Sequence, residues 1–511
     1  MTKSICLINP KTVSPSYSGS EFMNFPGQKP VAALSNLTLT TLAAMIPKDF
    51  HVTICDEYIS PADFEDNADY IGITGTSIQW ERMKTLASAF RNMGKTVIIG
   101  GPFASQAPEI VRPYCDILVR GEIENISDRL FSDLRESCWK EEYTGDWPDM
   151  TKSPVPKSDI YPRHTALMGG IQTSRGCPFQ CEFCEVAGYN GRKQRYKSAS
   201  QVIAELDALY LHGFRNVLIC DDNFTANRKK AKELLTAISY WNDQHDQGEK
   251  VLFSTGMSLE LADDDELLNL CAEAGIFLGF LGIETPNKES LRETRKYQNL
   301  GGSVPGRIQR FLDHGIMVSA GMIVGFDSDK TDIFEDHFRF AMSNPIPILT
   351  PGPLMAPIGT SLYERLEKEG RLADVDYESV IQHPHWDTNI IPGQMTREQL
   401  LEGSEWLINK LYDPINFEER VLNLIGKIGG LRKPVAESSA FMISNTMKET
   451  LKQITFYYRC IGPEEEKMLN RIVKELYSRP KGVIHVLSSL MRYAQIRYCK
   501  EQFRNKAPGV I

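Results

Sequence analysis

The segment Ser174-Arg-Gly-Cys177-Pro-Phe-Gln-Cys181-Glu-Phe-Cys184 places three of the chain's eleven cysteines at the spacing CxxxCxxC. A structural zinc site usually has four ligands, often from two CxxC pairs, and neither a second pair nor an HxxxH partner follows here. Three thiolates on a short loop suit a four-iron cluster with one open iron, although cubane clusters commonly use four cysteines. We therefore predict a [4Fe-4S] cluster on Cys177, Cys181 and Cys184. A zinc knuckle, or three thiols packed on a turn, is the alternative.

The cysteine segment overlaps the first of six strand candidates that alternate with helical segments. Six such repeats predict a partial, open (β/α)6 barrel, in which functional groups cluster at the carboxyl ends of the strands. The candidates, all before residue 356, are IQTSRG, NVLICDD, VLFSTG, FLGFLGIET, MVSAGMIVGF and IPILTPGPLM.

Residues 1–140 show the same alternation with shorter repeats, which predicts a doubly wound, Rossmann-like parallel sheet. Its strand candidates are SICLINP, HVTICDEY, DYIGITG, KTVIIGG and CDILVRG. Glycines follow two of these strands, at Gly100-Gly101-Pro102 and at Gly121-Glu122. Ligands of open sheets lie beyond the carboxyl ends of the strands, where glycine lets backbone approach a bulky cofactor. Ordinary turn chemistry is the alternative explanation.

The rest of the chain divides into a linker and a helical region. Four prolines without sustained periodicity predict a linker over 141–164, so that the barrel covers 165–395. Strand signals fade from 396 to 511, which we interpret as a helical C-terminal region, covering the barrel mouth.

Charge and hydropathy limit the partners and the cellular location that we expect. A net charge of -9 provides no broad basic field, so we expect no nucleic-acid partner. The N-terminal apolar run is too short for a signal-peptide core and no later run reaches the length of a membrane span, which predicts a cytoplasmic protein. The eight cysteines outside the cluster segment are scattered, and such cysteines usually pack as small hydrophobic residues.

The CxxxCxxC loop, with Phe183 before its last cysteine, resembles the radical S-adenosylmethionine (SAM) superfamily, whose clusters bind SAM at the open iron. Further segments resemble the superfamily's SAM contacts: Asp221-Asp222-Asn223-Phe224, Ser254-Thr255, Gly282 to Pro286 and Gly321 to Gly325. Residues Arg195-Tyr-Lys-Ser198 extend this resemblance, although Ser198 or Ser200 also suits a helix cap. The resemblance implies SAM contacts at Phe183, Arg195, Ser198, Asp221, Asp222, Ser254, Glu284 and Gly325.

Residues 1–140 resemble the cobalamin-binding domain that precedes the barrel in one large radical SAM class. The resemblance implies cobalamin contacts at Thr76, Ser77, Gly100, Gly101, Pro102, Gly121 and Glu122. The sequence departs from other B12 proteins in having no DxHxxG motif, and His51 is the only histidine before residue 164. We therefore expect no lower axial histidine. A vestigial or nucleotide-binding sheet is the alternative.

Segments including Val324-Gly-Phe-Asp-Ser328 and Ala356-Pro-Ile-Gly-Thr360 resemble the hopanoid methylase-like branch, which carries a C-terminal helical extension. This resemblance implies methylation of an unactivated carbon in an apolar substrate such as a hopanoid-like lipid or a tetrapyrrole. One SAM would supply the methyl group through cobalamin, and another would give a 5′-deoxyadenosyl radical. A flavodoxin or ferredoxin-type donor would supply electrons. A cyclase, ring-contracting enzyme or oxidase, and a non-catalytic cobalamin or redox sensor, are the alternatives.

Aromatic and aliphatic residues beside basic ones in the C-terminal region predict an apolar opening for the substrate and peripheral membrane contact. The alternative is that they simply pack on the barrel. The residues concerned are Phe441-Met442, Phe456-Tyr457-Tyr458 and 484–493, beside Arg459 and Arg492.

Overall fold

A computed structural model of the chain describes residues 2–24, 29–429 and 445–506; for 445–450 and 504–506 it describes the backbone alone. Up to residue 212 the elements are β1 (Ser4–Asn9), β2 (Ala32–Leu34), α1 (Leu37–Met45), β3 (His51–Asp56), β4 (Tyr70–Thr74), α2 (Trp80–Asn92), β5 (Thr96–Gly100), α3 (Pro102–Gln106), α4 (Pro108–Val111), β6 (Ile117–Arg120), α5 (Ser127–Glu136), β7 (Glu142–Thr144), β8 (Ala166–Ile171), β9 (Ser174–Arg175), α6 (Val186–Tyr189), β10 (Arg195–Tyr196) and α7 (Ala199–His212).

The following residues continue the alternation and then turn helical. Up to residue 353 the elements are β11 (Asn216–Ile219), α8 (Arg228–Asn242), β12 (Leu252–Met257), α9 (Asp265–Ala274), β13 (Ile276–Glu284), α10 (Lys288–Glu293), α11 (Val304–Asp313), β14 (Met317–Val324), α12 (Ile333–Ser343) and β15 (Ile348–Pro353). The remaining helices are α13 (Ser361–Lys368), α14 (Tyr377–Ile381), α15 (Arg397–Leu411), α16 (Pro414–Lys427), α17 (Asn445–Ile461), α18 (Pro463–Ser478) and α19 (Val483–Lys506).

The chain forms two compact units, each assembled from three segments. The first contains Met1–Ser14, Gly27–Phe214 and Ala356–Pro384, and the second contains Pro15–Pro26, Arg215–Met355 and His385–Ile511. The domain boundaries at 140, 164 and 395 stay predictions.

A six-stranded parallel sheet lies in the first unit, with the strand order β3-β1-β4-β5-β6-β7. Ile5 of β1 pairs with Val52 on one side and with Tyr70 on the other. The central strands are nearly continuous runs of buried residues, as expected where helices cover both faces of a parallel sheet. The predicted N-terminal parallel sheet is confirmed.

Some short strands were not predicted from the sequence. β7 has three residues and lies at the sheet edge, within the segment predicted to be a linker. β2 also has three residues and ends three positions before the helix α1 begins. That helix, α1, begins at Leu37 because the Asn36 side chain caps it, accepting a hydrogen bond from Leu39 N at 2.9 Å.

The first barrel strand lies earlier than the predicted IQTSRG. β8 ends at Ile171, and Ser174-Arg175 form the separate strand β9, which pairs antiparallel with β10. β8 contains Gly169, where a Cβ would lie only 3.0 Å from Leu209 of α7. The glycines that allow this close packing also weaken the hydrophobic signal of the strand, which explains the shifted prediction.

In the second unit, β11 to β15 pair in chain order, all parallel, and helices separate successive strands. The register between β13 and β14 places Gly282 opposite Gly321 and then shifts before Glu284. Five of the six predicted barrel strands are therefore found as predicted.

The C-terminal region is helical, as predicted, and packs within the second unit. Tyr412, fully buried after α15, donates its hydroxyl to Leu349 O of β15 at 2.6 Å. Residues 15–24 belong to the same unit, where the Gln495 amide of α19 donates to Ser16 O at 2.7 Å. None of the described helices combines the length and apolar character that crossing a membrane requires.

Asn242 at the end of α8 generates a test of the second unit's packing. Its buried amide donates to Val251 O at 2.8 Å and to Ala274 O at 3.1 Å, and its oxygen accepts from Val251 N at 2.9 Å. Asn242→Ala leaves these buried peptide groups unpaired, so we expect a loss of about 3 kcal/mol in the free energy of unfolding, measured by urea denaturation. Gln244→Ala, in the exposed turn that follows, should change stability by less than about 0.5 kcal/mol. Equal midpoints for the two variants would contradict this account.

Candidate functional site

The three clustered cysteines lie on a closed loop between β9 and α6, in the first unit. β9 and β10 pair antiparallel, with Arg175 opposite Arg195. Inside this hairpin, Cys177 N donates to Gly191 O at 3.2 Å, and Cys184 N donates to Cys181 O at 3.2 Å. We call residues 177–184 the cluster loop. Backbone hydrogen bonds fix the start of the loop and its last turn, so the three thiols are presented from a defined backbone.

Gly176 lets the cluster loop leave β9. Its φ is +95°, and a Cβ at this position would lie 2.7 Å from Lys193 O. A side chain would therefore combine a strained backbone with a clash against the opposite arm of the hairpin.

Ion pairs brace the cluster loop on both sides. Arg175 is ion-paired with Glu122 and, at 2.7 Å, with Glu124, and Arg195 is ion-paired with Glu122. On the other side, Arg365 of α13 donates to Glu182 of the loop at 2.7 Å, and Leu362 N donates to Glu182 O at 3.0 Å. Glu122 and Arg195, predicted to contact two different cofactors, thus contact one another.

The residues present fit an iron–sulfur cluster. The three thiols are half-buried, and none of the chain's eleven cysteines, all within the described segments, forms a disulfide. Among the described residues, no three His, Cys, Asp or Glu side chains converge as around a single metal ion. A cubane takes its protein ligands at separate irons, so its cysteines need no common point.

The scattered cysteines behave differently from the cluster loop. Cys6, Cys271 and Cys499 are buried, as expected for small apolar residues. Burial raises the pKa of the Cys6 thiol to about 11 and that of Cys271 to about 12, which keeps both thiols protonated and unreactive.

The predicted cobalamin residues gather where β4, β5 and β6 end. Gly101 has a φ of +97°, and a Cβ there would lie 2.6 Å from Thr74 Oγ1. Gly121 has a φ of +70°, and a Cβ there would lie 2.2 Å from Gly145 O. The turns that follow these strands therefore pack closely against one another at the carboxyl end of the sheet. The remaining members of the set follow the same strand ends: Thr76 and Ser77 after β4, Gly100 and Pro102 around the end of β5, and Glu122 after β6.

One residue of this edge was missed from the sequence. Ser105 of α3 accepts a hydrogen bond from Gly121 N at 2.9 Å, so it links the turns that follow β5 and β6. A small polar residue four positions after Gly101 was the available signal.

Predicted SAM residues of the second unit lie at or near the carboxyl ends of its strands. Asp221 follows β11, Ser254 lies within β12, and both side chains are buried, whereas Asp222 is half-buried. Glu284 ends β13 with the unusual φ of +65°, and its carboxylate accepts from Lys296 Nζ at 2.7 Å. A non-glycine residue in this region of φ is uncommon and costs free energy, which marks the strand end as a specialised position.

Asp329 holds the loop that contains Gly325, and its role was not predicted from the sequence. Its carboxylate accepts from the backbone nitrogens of Gly325 and Phe326, both at 3.0 Å, and from Ser290 Oγ at 2.7 Å. Burial raises the pKa of Asp329, and these hydrogen bonds oppose that effect. The Gly325 φ of +103° is therefore held by an acceptor four residues along the chain.

Besides Arg195, two predicted SAM residues of the first unit lie within the hairpin or next to it. Ser198 is the N-cap of α7, and its hydroxyl accepts a hydrogen bond from Gln201 N at 3.3 Å. This is the helix-capping role that the sequence offered as an alternative. Phe183 lies half-buried within the cluster loop.

Known proteins are similar to this chain over most of its length. Residues 171–341 match the Radical SAM superfamily, and residues 360–507 match a domain of unknown function, DUF4070. An uncharacterized methyltransferase of Synechocystis sp. is 34% identical over 81% of this chain and 77% of its own length. The hopanoid C-2 methylase of Rhodopseudomonas palustris is 34% identical over 66% of this chain and 65% of its own length. The chain belongs to the radical SAM superfamily.

More distant proteins are also similar to this chain. The bacteriochlorophyllide d C-8(2)-methyltransferase of Chlorobaculum tepidum is 23% identical over 83% of this radical SAM chain and 96% of its own length. The cobalamin-dependent SAM radical enzyme OxsB, solved with aqua-cobalamin, has a TM-score of 0.60 at 14% identity, covering 99% of this chain and 80% of OxsB. The predicted fold class is therefore confirmed: a parallel sheet, a partial radical SAM barrel and a helical C-terminal region. The chain is an enzyme of the radical SAM methyltransferase type.

Replacing any one of Cys177, Cys181 or Cys184 with Ala should abolish iron incorporation and 5′-deoxyadenosine formation, because two thiolates cannot hold the cubane. Iron content after anaerobic reconstitution and chromatography of the nucleoside products measure both effects. Cys138→Ala is the matched control, since Cys138 is exposed. Cys499 is a poorer control because it is buried at 1% exposure within the C-terminal helices. A cluster-loop variant with normal iron and normal SAM cleavage would contradict the assignment.

Proposed function

We propose that this radical SAM enzyme methylates an unactivated carbon of an apolar, polycyclic substrate, and that it uses cobalamin to do so. The observation that carries the proposal is the cluster loop: three half-buried cysteines on a hairpin that is ion-paired to the glycine-rich end of a parallel sheet. A cofactor at that sheet edge and a cluster on the loop would be held by one unit of the chain.

The bound cofactors would supply the chemistry, one SAM giving its methyl group through cobalamin and the reductive cleavage of another giving the radical that abstracts a hydrogen atom. The chain would hold the cluster through Cys177, Cys181 and Cys184. We propose Phe183, Ser198, Asp221, Asp222, Ser254, Glu284 and Gly325 as SAM contacts, and we assign Arg195, predicted in the same set, to the ion pair with Glu122. For cobalamin we propose Thr76, Ser77, Gly100, Gly101, Pro102 and Gly121, which lie at the carboxyl ends of β4, β5 and β6, where open parallel sheets bind their ligands.

The apolar substrate class is supported by the relatives, which are named for hopanoid and bacteriochlorophyllide methylation. The C-terminal aromatic residues support it less. Tyr458 and Tyr493 are fully buried and the Tyr458 hydroxyl donates to Leu490 O at 3.0 Å, so they pack inside the second unit. Phe456 and Arg459 of α17 are exposed and support peripheral membrane contact. Phe441 and Met442 lie outside the described residues.

A flavodoxin or ferredoxin-type electron donor is part of the proposal, since SAM cleavage needs a low-potential electron. A chemical reductant replaces this donor in the experiments below.

Anaerobic turnover of the reconstituted enzyme with SAM and reductant should separate the candidate outcomes. With a hopanoid or tetrapyrrole in anionic vesicles, we expect S-adenosylhomocysteine and 5′-deoxyadenosine in equal amounts, and a product heavier by one CH2 unit in mass spectrometry. 5′-Deoxyadenosine alone would indicate rearrangement or oxidation. The absence of both products would indicate a sensor. Sedimentation with the same vesicles tests membrane contact, and a Phe456→Ser variant should sediment less. Turnover of a small water-soluble substrate instead would contradict the apolar class.

Cobalamin should bind without a nitrogen ligand on its lower face. His51 is exposed at the first residue of β3, the opposite end of the sheet from the glycines that follow β5 and β6. Electron paramagnetic resonance (EPR) of the cob(II)alamin form should therefore lack superhyperfine splitting from a coordinated nitrogen. His51→Ala should give the same spectrum as the unmodified chain. Nitrogen splitting, or failure of the full chain to retain any cobalamin, would count against this part of the proposal.

A further inference from the structure

Two carboxylates and two arginines form a nearly buried network at the base of the cluster loop. The side chains of Glu122, Glu124, Arg175 and Arg195 are 8%, 9%, 14% and 12% exposed, respectively. All four belong to the first unit. Groups this far from water lose most of their hydration, so the network holds only while each charge is paired.

The Glu122 carboxylate accepts hydrogen bonds from side chains on both arms of the hairpin. Its carboxylate pairs with Arg175, which lies on β9 two residues before Cys177, and with Arg195, which lies opposite on β10. Arg195 Nη1 donates to Glu122 Oε2 at 2.9 Å. One side chain thus spans the two strands from which the cluster loop extends.

Arg195 also makes hydrogen bonds to backbone carbonyls beyond the Glu122 pair. Its guanidinium also donates to Asn190 O at 3.1 Å and to Pro148 O at 3.2 Å. Asn190 adjoins Gly191, whose carbonyl accepts the hydrogen bond from Cys177 N. A displacement of Arg195 would therefore reach the first cluster cysteine through two short links.

The negative charge of Glu122 is needed because two arginines face each other across β9 and β10. Like charges opposite one another in a ladder repel, and here they lie in a medium of low polarity. Glu122 is fixed between them by Gly121, where the chain turns at a φ of +70° against Gly145 O. A neutral side chain of the same shape would leave one arginine charge uncompensated.

We propose that Glu122 is a positioning residue for the cluster loop rather than a side-chain ligand of cobalamin. Its carboxylate keeps the two arms of the hairpin in register and ties them to the sheet edge that follows β6. SAM would then meet the open iron in a geometry set by a residue more than fifty positions before the first cysteine of the loop. This inference rests on membership of the radical SAM family and does not depend on methyl transfer.

The second brace, between Arg365 and Glu182, makes the proposal testable. It holds the loop independently, so loss of the Glu122 charge should misplace the loop without preventing assembly of the cluster. Misplacement of reacting groups by about 1 Å lowers rates by up to about a hundredfold. For a smaller misplacement we expect a change on the order of tenfold in the KM for SAM.

The experiment compares Glu122→Gln with Glu142→Gln in the full chain, reconstituted anaerobically with iron, sulfide and cobalamin. Glu142 is the matched control because it pairs with Arg112 and Arg120 on the same sheet, at its edge, with 27% of its side chain exposed. We expect Glu122→Gln to retain iron and cobalamin, to change the EPR spectrum of the reduced cluster with SAM, and to raise the KM for SAM about tenfold. The control should match the unmodified chain in all four measurements.

The outcomes separate positioning from ligation. Loss of cobalamin by Glu122→Gln with an unchanged cluster spectrum and KM would overturn the proposal, as would a variant equal to the control. If Glu122→Gln does not fold, Arg195→Lys decides, because it keeps the charge and loses the two-pronged contact. A changed spectrum and a raised KM in Arg195→Lys support positioning, and values equal to the control overturn it. EPR and SAM cleavage need no methyl acceptor, so these results stand whether or not methylation is observed.

Discussion

The pairing of Glu122 with Arg175 and Arg195 is the interaction on which the arrangement of the first unit depends. Without a carboxylate between them, two nearly buried guanidinium groups would lie side by side across a two-residue ladder. Removing one partner of a buried pair typically costs about 3–5 kcal/mol, because the remaining charge stays unsolvated. Such a short ladder contributes little by itself, so the charges give it a unique register. Glu182 and Arg365 repeat the device on the other side of the loop.

The second unit fixes its strand ends by different means. Around β13 and β14 the backbone adopts positive φ at Glu284 and Gly325, and buried acceptors and donors hold these conformations. Asn299 Nδ2 donates to Gly282 O at 2.7 Å, and Asp329 accepts from the Gly325 turn. The Asp329 contact joins residues four positions apart and the Asn299 contact joins residues 17 positions apart, whereas the ion pairs of Glu122 and Glu182 in the first unit join residues 53 to 183 positions apart. A ligand at these strand ends would meet preformed backbone and would cause little reorganisation.

Sequence patterns predicted the parts of the fold that repeat. β1, β3 to β6 and β11 to β15 are mostly apolar runs separated by helical segments, and the cysteine spacing identified the family. β8 was displaced because its glycine pair carries no hydrophobic signal, and β2 and β7 are too short to show a period. The contact between Glu122 and Arg195 joins residues 73 positions apart, and no local rule relates them. Asp329 is different, since an acidic residue four positions after a glycine is a local signal that could have been recognised.

The interleaving of the two units has a consequence for how the protein is made. Its six segments alternate between the units, so neither unit is complete until late in synthesis. Residues 15–24 contact Gln495 and therefore wait for almost the whole chain to leave the ribosome. Arg365, which braces the cysteine loop, emerges only after the intervening 141 residues of the other unit, Arg215–Met355. Domains generally fold in order from the N-terminus, but this chain binds its earliest and latest residues together. Each unit therefore gains its last native contacts only after residues of the other unit have been synthesised.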